Sequence, residues 1–356
     1  MPCLRPMLPS TLLGLSLGLA LPALAQTGQP AAAPAAEVGA IACTQLADDA
    51  ARLACYDRAH GRLPARLQPP PPPVAVPGTQ PGTPPGPASH LSDRWDLDQA
   101  RGELFAPRPH RPVYLLPLTW TSALNRRPAS PSAGRSASED MPLRDLEAKY
   151  QISLKAKLGH ELLGTPVSLW AAYTQSSRWQ VYNGPASRPF RETNYEPELI
   201  ASVPLQGRLL GWDLRMASLA LNHQSNGRSM PLSRSWNRVI FGLGIERGEW
   251  LAEFRPWLRL PEAADDDDNP DILDQVGRAE LRLSRFRNDH ALTLLLRHSL
   301  RGGARSRGSA QLEWVFPWSG ALHGYLQVFS GQGESLVDYN VRQTKLGLGL
   351  TIAGWR

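Results

Sequence analysis

The sequence predicts an all-β fold, a twelve-stranded antiparallel transmembrane β-barrel with a small N-terminal disulfide-stapled helical extension. Three observations support this fold class. An export signal opens the chain, short segments of alternating polar and apolar residues recur from about residue 105, and their connections alternate between short and long. Short turns at one rim and long loops at the other are typical of outer-membrane barrels.

Residues 1–25 have the features of a secretory signal peptide. Arg5 provides the positive n-region, Leu12 to Leu21 the apolar core, and Ala23-Leu24-Ala25 the cleavage site. No later window contains about 18 uncharged apolar residues, so no membrane-spanning helix is expected. The exported chain is therefore expected to be either soluble outside the cytoplasm or a barrel in the outer membrane.

Residues 26–63 are predicted to form a periplasmic extension with a small helical unit. Cys3 leaves with the signal, so Cys43 and Cys55 remain as a pair, and an oxidising compartment favours a disulfide between them. Two free thiols are the alternative. Twelve positions along one straight helix would hold the two sulfurs too far apart, so a disulfide requires a bend. Residues 64–104 are a Pro-rich linker.

Twelve strand-like segments follow in the predicted barrel domain, residues 105–356. The clearest runs from Tyr150 to Leu158, where apolar residues occupy even positions and polar residues odd positions. Long polar connections alternate with short ones, and only the link at 301–307 is of intermediate length. The predicted segments are 111–121, 150–158, 165–176, 193–204, 208–223, 237–247, 249–260, 274–287, 290–300, 308–317, 320–330 and 341–355.

The parity of the strands indicates which face meets lipid. In 342–352, Leu346, Leu348 and Leu350 alternate with Lys345 and with glycines. A polar interior and an apolar exterior explain this pattern. The alternative is a soluble lipocalin-like or sandwich protein with its apolar face inward. The even number of strands, the signal peptide and the alternation of the loops favour the membrane barrel.

A group of polar side chains lies where two predicted strands meet a long loop. His223 and Ser225 are two residues apart and therefore share one strand face, and Asn237 can return to that face on the next strand. On both strands this is the apolar, outward row. The group contains a nucleophile, a base and an orienting residue. The alternative is a set of loop-end polar residues without chemistry, yet polar groups at a lipid face are costly unless they bond to each other.

The block Asn222-His-Gln-Ser-Asn-Gly-Arg-Ser229, followed by Ser233-Arg-Ser-Trp-Asn-Arg238, closely resembles the active-site signature of the outer-membrane phospholipase A family of Gram-negative bacteria. The resemblance extends over about 105–356, but not over the cysteine unit. Other blocks that agree with the family are 173–175, 190–197, 268–272 and 330–340.

The resemblance implies calcium-dependent hydrolysis of phospholipid and lysophospholipid acyl esters at the sn-1 and sn-2 positions. Ser225 would be the nucleophile, His223 the general base and Asn237 the group that orients the imidazole. An amide in place of the usual aspartate avoids a bare carboxylate at a lipid face. Three further positions match supporting residues near that site, namely Gly227, Gln175 and Tyr195.

The resemblance also implies one Ca²⁺ per monomer, shared across the interface of a homodimer. The matching ligands are the Arg228 carbonyl and the Ser233 hydroxyl from one subunit and Ser187 from the other. Oxygen ligands of this kind suit a weakly held calcium ion. The Gly227 amide, with a calcium-bound water, would stabilise the oxyanion. Met230 departs from the family pattern, because an acidic residue that helps to bind calcium in the monomer is expected there.

Other features of the sequence support competing or additional hypotheses. The net charge of +6 comes almost wholly from scattered arginines, which argues against nucleic-acid binding. The acidic run 265–268 is interpreted as a solvated outer loop, and the terminus 354–356 lacks the usual final aromatic residue of a barrel. A non-catalytic, porin-like or structural barrel is the alternative function. A periplasmic partner or the cell wall is the hypothesis for a ligand of the extension.

Overall fold

The computed structural model describes residues 43–60, 89–98 and 103–353. The chain divides into two compact units, Met1–Gly82 and Thr83–Arg356. The predicted signal peptide, most of the predicted Pro-rich linker and the atypical C-terminus 354–356 lie outside the described residues.

The first unit contains the helix α1, Asp49–Ala59, stapled to the turn before it. A disulfide joins Cys43 to Cys55 with their Cα atoms 5.5 Å apart, which confirms the predicted pairing. The turn at 44–48 provides the required bend, and the Asp48 side chain caps α1 by accepting hydrogen bonds from two backbone amides of its first turn. Among the described residues, no helix is long and apolar enough to cross a membrane.

Twelve antiparallel strands form the second unit. Each strand pairs with the next along the chain, and the last pairs with the first, so the barrel is closed and the predicted fold class is confirmed. The strands are β1 Val113–Thr121, β2 Leu146–Gly159, β3 Ser168–Trp179, β4 Phe190–Pro204, β5 Trp212–Ser225, β6 Ser235–Arg247, β7 Trp250–Arg259, β8 Ala279–Arg287, β9 His290–His298, β10 Gly308–Ser319, β11 Leu322–Gly331 and β12 Gln343–Ala353.

Six short pieces flank or connect the described strands of the barrel. Two-residue strands at Arg108–Pro109 and Arg208–Leu209 extend the pairing of β2 and β5. The short α-helix Ile272–Gln275 and three 3₁₀ turns lie in the connections, the turns being Leu162–Gly164, Gly184–Ala186 and Gly303–Arg305.

The alternation along β2 separates an apolar exterior from a polar interior. Ile152 and Leu154 are 47% and 43% exposed, whereas Ser153, Lys155 and Lys157 between and beyond them are buried. Side chains on a strand point alternately to its two faces, so the polar residues face the lumen and the apolar ones face outward. This is the parity that the sequence predicts.

Buried ion pairs fill the lumen. Near the long-loop rim, Arg191 donates to Glu147 at 2.8 Å and to Asp338 at 2.7 Å. Deeper in the barrel, the Arg111 guanidinium donates to both carboxylate oxygens of Glu196, at 2.8 and 3.0 Å. Such charges are tolerated inside a protein because they are paired. A cavity of about 110 Å³ remains between the pairs, with room for several water molecules.

A short helix, α2 (His90–Trp95), enters the barrel at the short-turn rim. The carboxylate of Glu246 accepts the Leu91 amide at 2.7 Å and the Ser89 hydroxyl at 2.6 Å, and the Trp95 ring packs edge-on against Trp170 with centroids 5.6 Å apart. These residues fall within the predicted linker 64–104, for which no packed element was expected. Six residues are too few to show a helical period, so the sequence carries no signal for α2.

The loop between β11 and β12, residues 332–342, covers the lumen at the long-loop rim. The Leu336 amide donates to Asn194 at 3.2 Å, and the Val337 amide donates to Glu192 at 3.0 Å. With α2 at the other end and ion pairs between, the described lumen gives no support to the porin-like alternative.

Candidate active site

The hairpin of β5 and β6 carries the predicted trio to the long-loop rim. The register pairs His223 with Asn237. Leu221, two residues before His223, is 54% exposed, whereas Asn222 is buried. Because alternate side chains face opposite sides of a strand, His223 and Ser225 point away from the lumen. Asn237 shares that outward face because it lies directly across from His223.

The imidazole and the amide of this group are in contact. His223 Nδ1 lies 2.8 Å from Asn237 Oδ1. An amide oxygen only accepts, so Nδ1 carries the proton and Nε2 is left with a free lone pair. Ser225 lies on the same face, and within the described part of the chain no hydrogen bond joins it to His223. Contacts of this kind are often long without substrate and tighten in the complex.

A carboxylate lies behind the amide. Asn237 Nδ2 donates to Glu262 Oε1 at 2.9 Å, and Arg259 donates to the other oxygen of Glu262, also at 2.9 Å. The same guanidinium donates to Asp267 at 2.6 Å. Neither Glu262 nor Arg259 is predicted from the sequence as a site residue. Glu262 stands in an irregular loop, where no periodicity connects it to the strand that carries Asn237.

Gly227 is packed under an aromatic ring. It has a φ of +61°, and a Cβ added to it would lie 3.0 Å from Cε2 of Tyr195. Tyr195 pairs with Ser225 across β4 and β5, and Gln175 pairs with Tyr195 across β3 and β4. The Tyr173 hydroxyl donates to Gln175 Oε1 at 3.2 Å. The supporting residues predicted from the sequence therefore form one row beside Ser225.

Two buried side chains fix the loop between β5 and β6. Asn226 Oδ1 accepts the Arg228 amide at 3.3 Å and the Arg234 amide at 3.0 Å. The Arg234 guanidinium donates to the carbonyls of Ser233 at 2.6 Å and Arg135 at 2.8 Å, and burial lowers its pKa. Neither residue is predicted from the sequence to have a role, although both lie within the two blocks 222–229 and 233–238. They hold the backbone on which Gly227 and Ser233 stand.

One of the predicted calcium ligands is bonded to a buried carboxylate. Ser233 Oγ donates to Asp268 Oδ2 at 2.7 Å, and Arg135 Nε donates to Asp268 Oδ1 at 2.5 Å. Because the Ser233 proton is directed to Asp268, the lone pairs of its oxygen remain available to a cation. The hydroxyl, the nearby carboxylate and backbone carbonyls are oxygen donors, which fit calcium.

The other predicted ligands lie on the same rim. Ser187 is exposed in the loop between β3 and β4, and Arg228 is half-buried in the loop after β5. Across residues 43–60, 89–98 and 103–353, no three His, Cys, Asp or Glu side chains are grouped so that they could hold a metal ion. Met230 is 62% exposed, and its sulfur lies 2.7 Å from Arg135 Nη1. A cation at this rim would therefore depend on hydroxyl and carbonyl oxygens rather than on a cluster of acidic side chains.

The acidic run 265–268 lies in the long loop between β7 and β8, but it is only partly solvated, which corrects the interpretation of the whole run as solvated. Asp265 and Asp266 are exposed, but Asp268 is only 5% exposed, and Asp267 accepts from Arg259 and from the Asn269 amide. The second half of the run therefore joins the loops of the rim. Arg259, eight residues earlier, pairs with Asp267, and the distant Arg135 pairs with Asp268, so periodicity reveals neither contact.

Known proteins resemble this chain over most of its barrel. A profile described as phospholipase A1 matches residues 91–352. The chain belongs to the phospholipase A1 family. Phospholipase A1 of Escherichia coli K12 is 40% identical over 245 residues, 68% of this chain and 80% of that protein. The Salmonella typhimurium phospholipase A1 is 37% identical over 293 residues, 82% of this chain and 96% of that protein.

Solved structures agree with this assignment. Outer membrane phospholipase A from Escherichia coli has a TM-score of 0.64 at 38% identity, covering 73% of this chain and 96% of that one. The Salmonella typhi outer membrane phospholipase, a dimer with bound calcium, has a TM-score of 0.65 at 35% identity, covering 76% and 100%. The predicted family is thus confirmed, and this protein is a phospholipase whose barrel is located in the outer membrane.

Proposed function

We propose that this phospholipase hydrolyses sn-1 and sn-2 acyl esters of phospholipids and lysophospholipids with Ser225, His223 and Asn237. The observation that carries the proposal is the 2.8 Å contact between His223 Nδ1 and Asn237 Oδ1 on the outward face of the barrel. Membrane lipid meets that face, so an ester at the level of the headgroups can reach Ser225 without entering the lumen.

The reaction follows the order of a serine hydrolase. Ser225 Oγ attacks the ester carbonyl carbon while His223 Nε2 takes its proton, and the tetrahedral intermediate expels the lysophospholipid alcohol, which receives that proton. A water molecule, deprotonated by His223, then attacks the acyl-enzyme. The acyl bond to Ser225 breaks, the serine regains its proton, and a fatty acid leaves. Asn237 holds the imidazole in the required tautomer throughout.

The oxyanion of each intermediate is stabilised beside Ser225. The Gly227 amide donates to it, and Gln175 and Tyr195 hold the neighbouring water. The row formed by these side chains, with Tyr195 packed on Gly227, supports this role. Amides fixed in advance cost no reorganisation when the charge develops.

In a homodimer, one calcium ion per subunit would complete the site. The Arg228 carbonyl and the Ser233 hydroxyl of one subunit, together with Ser187 of the other subunit, would hold this ion. When bound, the ion supplies positive charge and a polarised water beside the developing oxyanion. The Salmonella typhi relative, a dimer with bound calcium, supports this arrangement. Arg135 already neutralises Asp268, so we expect little calcium binding by the isolated monomer.

Fatty-acid release from defined phospholipid micelles tests the proposal. We expect Ser225→Ala to reduce the rate roughly 10⁴-fold or more, because the substitution removes the hydroxyl that is proposed to attack the ester. Chelation of calcium should abolish activity, and added calcium should restore it. Ser229→Ala, an exposed serine in the same loop, is the matched control. A wild-type rate in Ser225→Ala, or full activity under chelator, would refute the corresponding assignment.

The N-terminal extension belongs in the periplasm under this proposal. In outer-membrane barrels the short turns face the periplasm. The chain enters β1 at the short-turn rim. The preceding residues lie near this rim, because α2 donates a hydrogen bond to Glu246 and Arg108–Pro109 pairs with Leu154 and Lys155 of β2. A periplasmic protein or the cell wall is the proposed ligand of the extension.

A further inference from the structure

The orientation of the Asn237 amide is decided by the group behind it. Unlike a carboxylate, an amide has two different ends, and only its oxygen can accept the proton on His223 Nδ1. Asn237 Nδ2 lies 2.9 Å from Glu262 Oε1, and Oδ1 lies 2.8 Å from the imidazole. A carboxylate only accepts, so the NH₂ end of the amide must face Glu262.

We propose that Glu262 is a positioning residue of this hydrolase site, which acts through Asn237 and rests on the function proposed above. With Glu262 in place, Oδ1 faces Nδ1, and His223 is held as the tautomer with a free Nε2. A flipped amide would turn an N–H donor toward Nδ1. It would then favour the tautomer that carries its proton on Nε2, which cannot accept the proton of Ser225.

The surroundings of Glu262 fix it in turn. Arg259 Nη2 donates to Glu262 Oε2 at 2.9 Å and to Asp267 Oδ1 at 2.6 Å. The exposed fractions of these three side chains are 9% for Arg259, 16% for Glu262 and 15% for Asp267, so solvent screens the network little. Arg259 therefore holds Glu262 in the orientation in which Oε1 accepts from the Asn237 amide.

Replacement by glutamine tests this role at constant size. In Glu262→Gln, Arg259 still demands an acceptor, so the new amide oxygen turns toward Arg259 and its NH₂ toward Asn237. This arrangement favours the flipped Asn237 amide. We expect kcat to fall about 10- to 100-fold with KM unchanged, the size typical of a misplaced catalytic group. Asp266→Asn, an exposed acid of the same loop, should leave kcat unchanged.

A second background separates positioning from a structural effect. In Asn237→Asp, two carboxylates would face each other at Glu262, and Glu262→Gln should then raise activity by removing the repulsion and supplying a donor. The same substitution therefore lowers kcat beside Asn237 but raises it in Asn237→Asp. In Asn237→Ala, where no amide is present to be oriented, it should have no effect beyond about twofold.

The outcomes are distinct for the two proposals. The positioning role fails if Glu262→Gln has a kcat within twofold of wild type, or if it lowers kcat equally in the Asn237→Ala background. It also fails if the sign does not reverse in Asn237→Asp. Those results leave the Ser225–His223–Asn237 assignment intact. Wild-type activity in Asn237→Ala would instead refute that assignment, and the role of Glu262 with it. Circular dichroism of every variant identifies a loss of folding.

Discussion

A glycine brings the aromatic ring of Tyr195 close to the proposed oxyanion donor. Gly227 has a φ of +61°, a backbone conformation that residues other than glycine adopt only at an energetic cost. A Cβ atom added to Gly227 would lie 3.0 Å from Tyr195 Cε2. A methyl group there must displace either the ring or the loop. Either movement would shift the Gly227 backbone amide that is proposed to face the oxyanion. A side-chain substitution at this position can therefore affect catalysis, even though the proposed donor is a backbone group.

Gly227→Ala is therefore expected to lower kcat by about 10²-fold, the order found when one oxyanion donor is lost. Gly134→Ala is the matched control, because Gly134 also has a positive φ, +70°, but no atom lies within 4 Å of its added Cβ. Both variants carry similar backbone strain, and only the first meets a neighbour. Kinetics of fatty-acid release decide the matter, and equal losses in both variants would contradict a specific role for Gly227.

At the scale of one element, α2 is a helix that depends on the barrel. It is only six residues long, and isolated helices of this length are not stable in water. Its packing supplies the stability, since Leu91 is fully buried and its amide donates to Glu246. The Ser89 hydroxyl caps the helix and bonds to the same carboxylate.

Leu91→Ala should lower the free energy of unfolding by about 2–4 kcal/mol, because the truncated side chain leaves a cavity at a buried site. Asp93→Ala, an exposed position of the same helix, should change it by no more than about 0.5 kcal/mol. Urea denaturation of the folded barrel measures both values. An unchanged midpoint in Leu91→Ala would mean that α2 does not contribute to the stability of the barrel.

Features that repeat with the period of a strand or helix can be predicted from the sequence, whereas features without such a repeat cannot. The alternation from Tyr150 to Leu158 specifies a strand face, and the same parity carries His223 to the outer surface. Glu262 reaches Asn237 from a loop, and α2 is shorter than two helical turns, so neither has a repeating pattern. The first contact arises because β6 pairs with β7, which places the loop after Arg259 beside Asn237. The second element is held by Glu246, a barrel residue far from α2 in the chain.

At the scale of the whole molecule, the barrel unit contains every group proposed for catalysis. All twelve strand pairings and the loops at the long rim lie within Thr83–Arg356. The stapled unit within Met1–Gly82 has its own disulfide and its own helix cap. Removal of the extension should therefore abolish any binding by the extension while leaving hydrolysis by the barrel unit intact.

Deletion of residues 26–82, with the signal retained, should leave kcat within about twofold of the full chain in phospholipid micelles, because the boundary spares α2. Extending the deletion to 26–98 removes α2 together with its bonds to Glu246, and we expect it to destabilise the barrel by at least as much as Leu91→Ala.

Pulldowns from periplasm and purified cell wall, with the full chain and the shorter deletion, test the extension itself. A ligand that is retained by the full chain but not by the shorter deletion would support a binding role for the extension. Equal retention by both proteins would end that hypothesis. A large loss of micellar activity in the shorter deletion would show that the two units are functionally coupled.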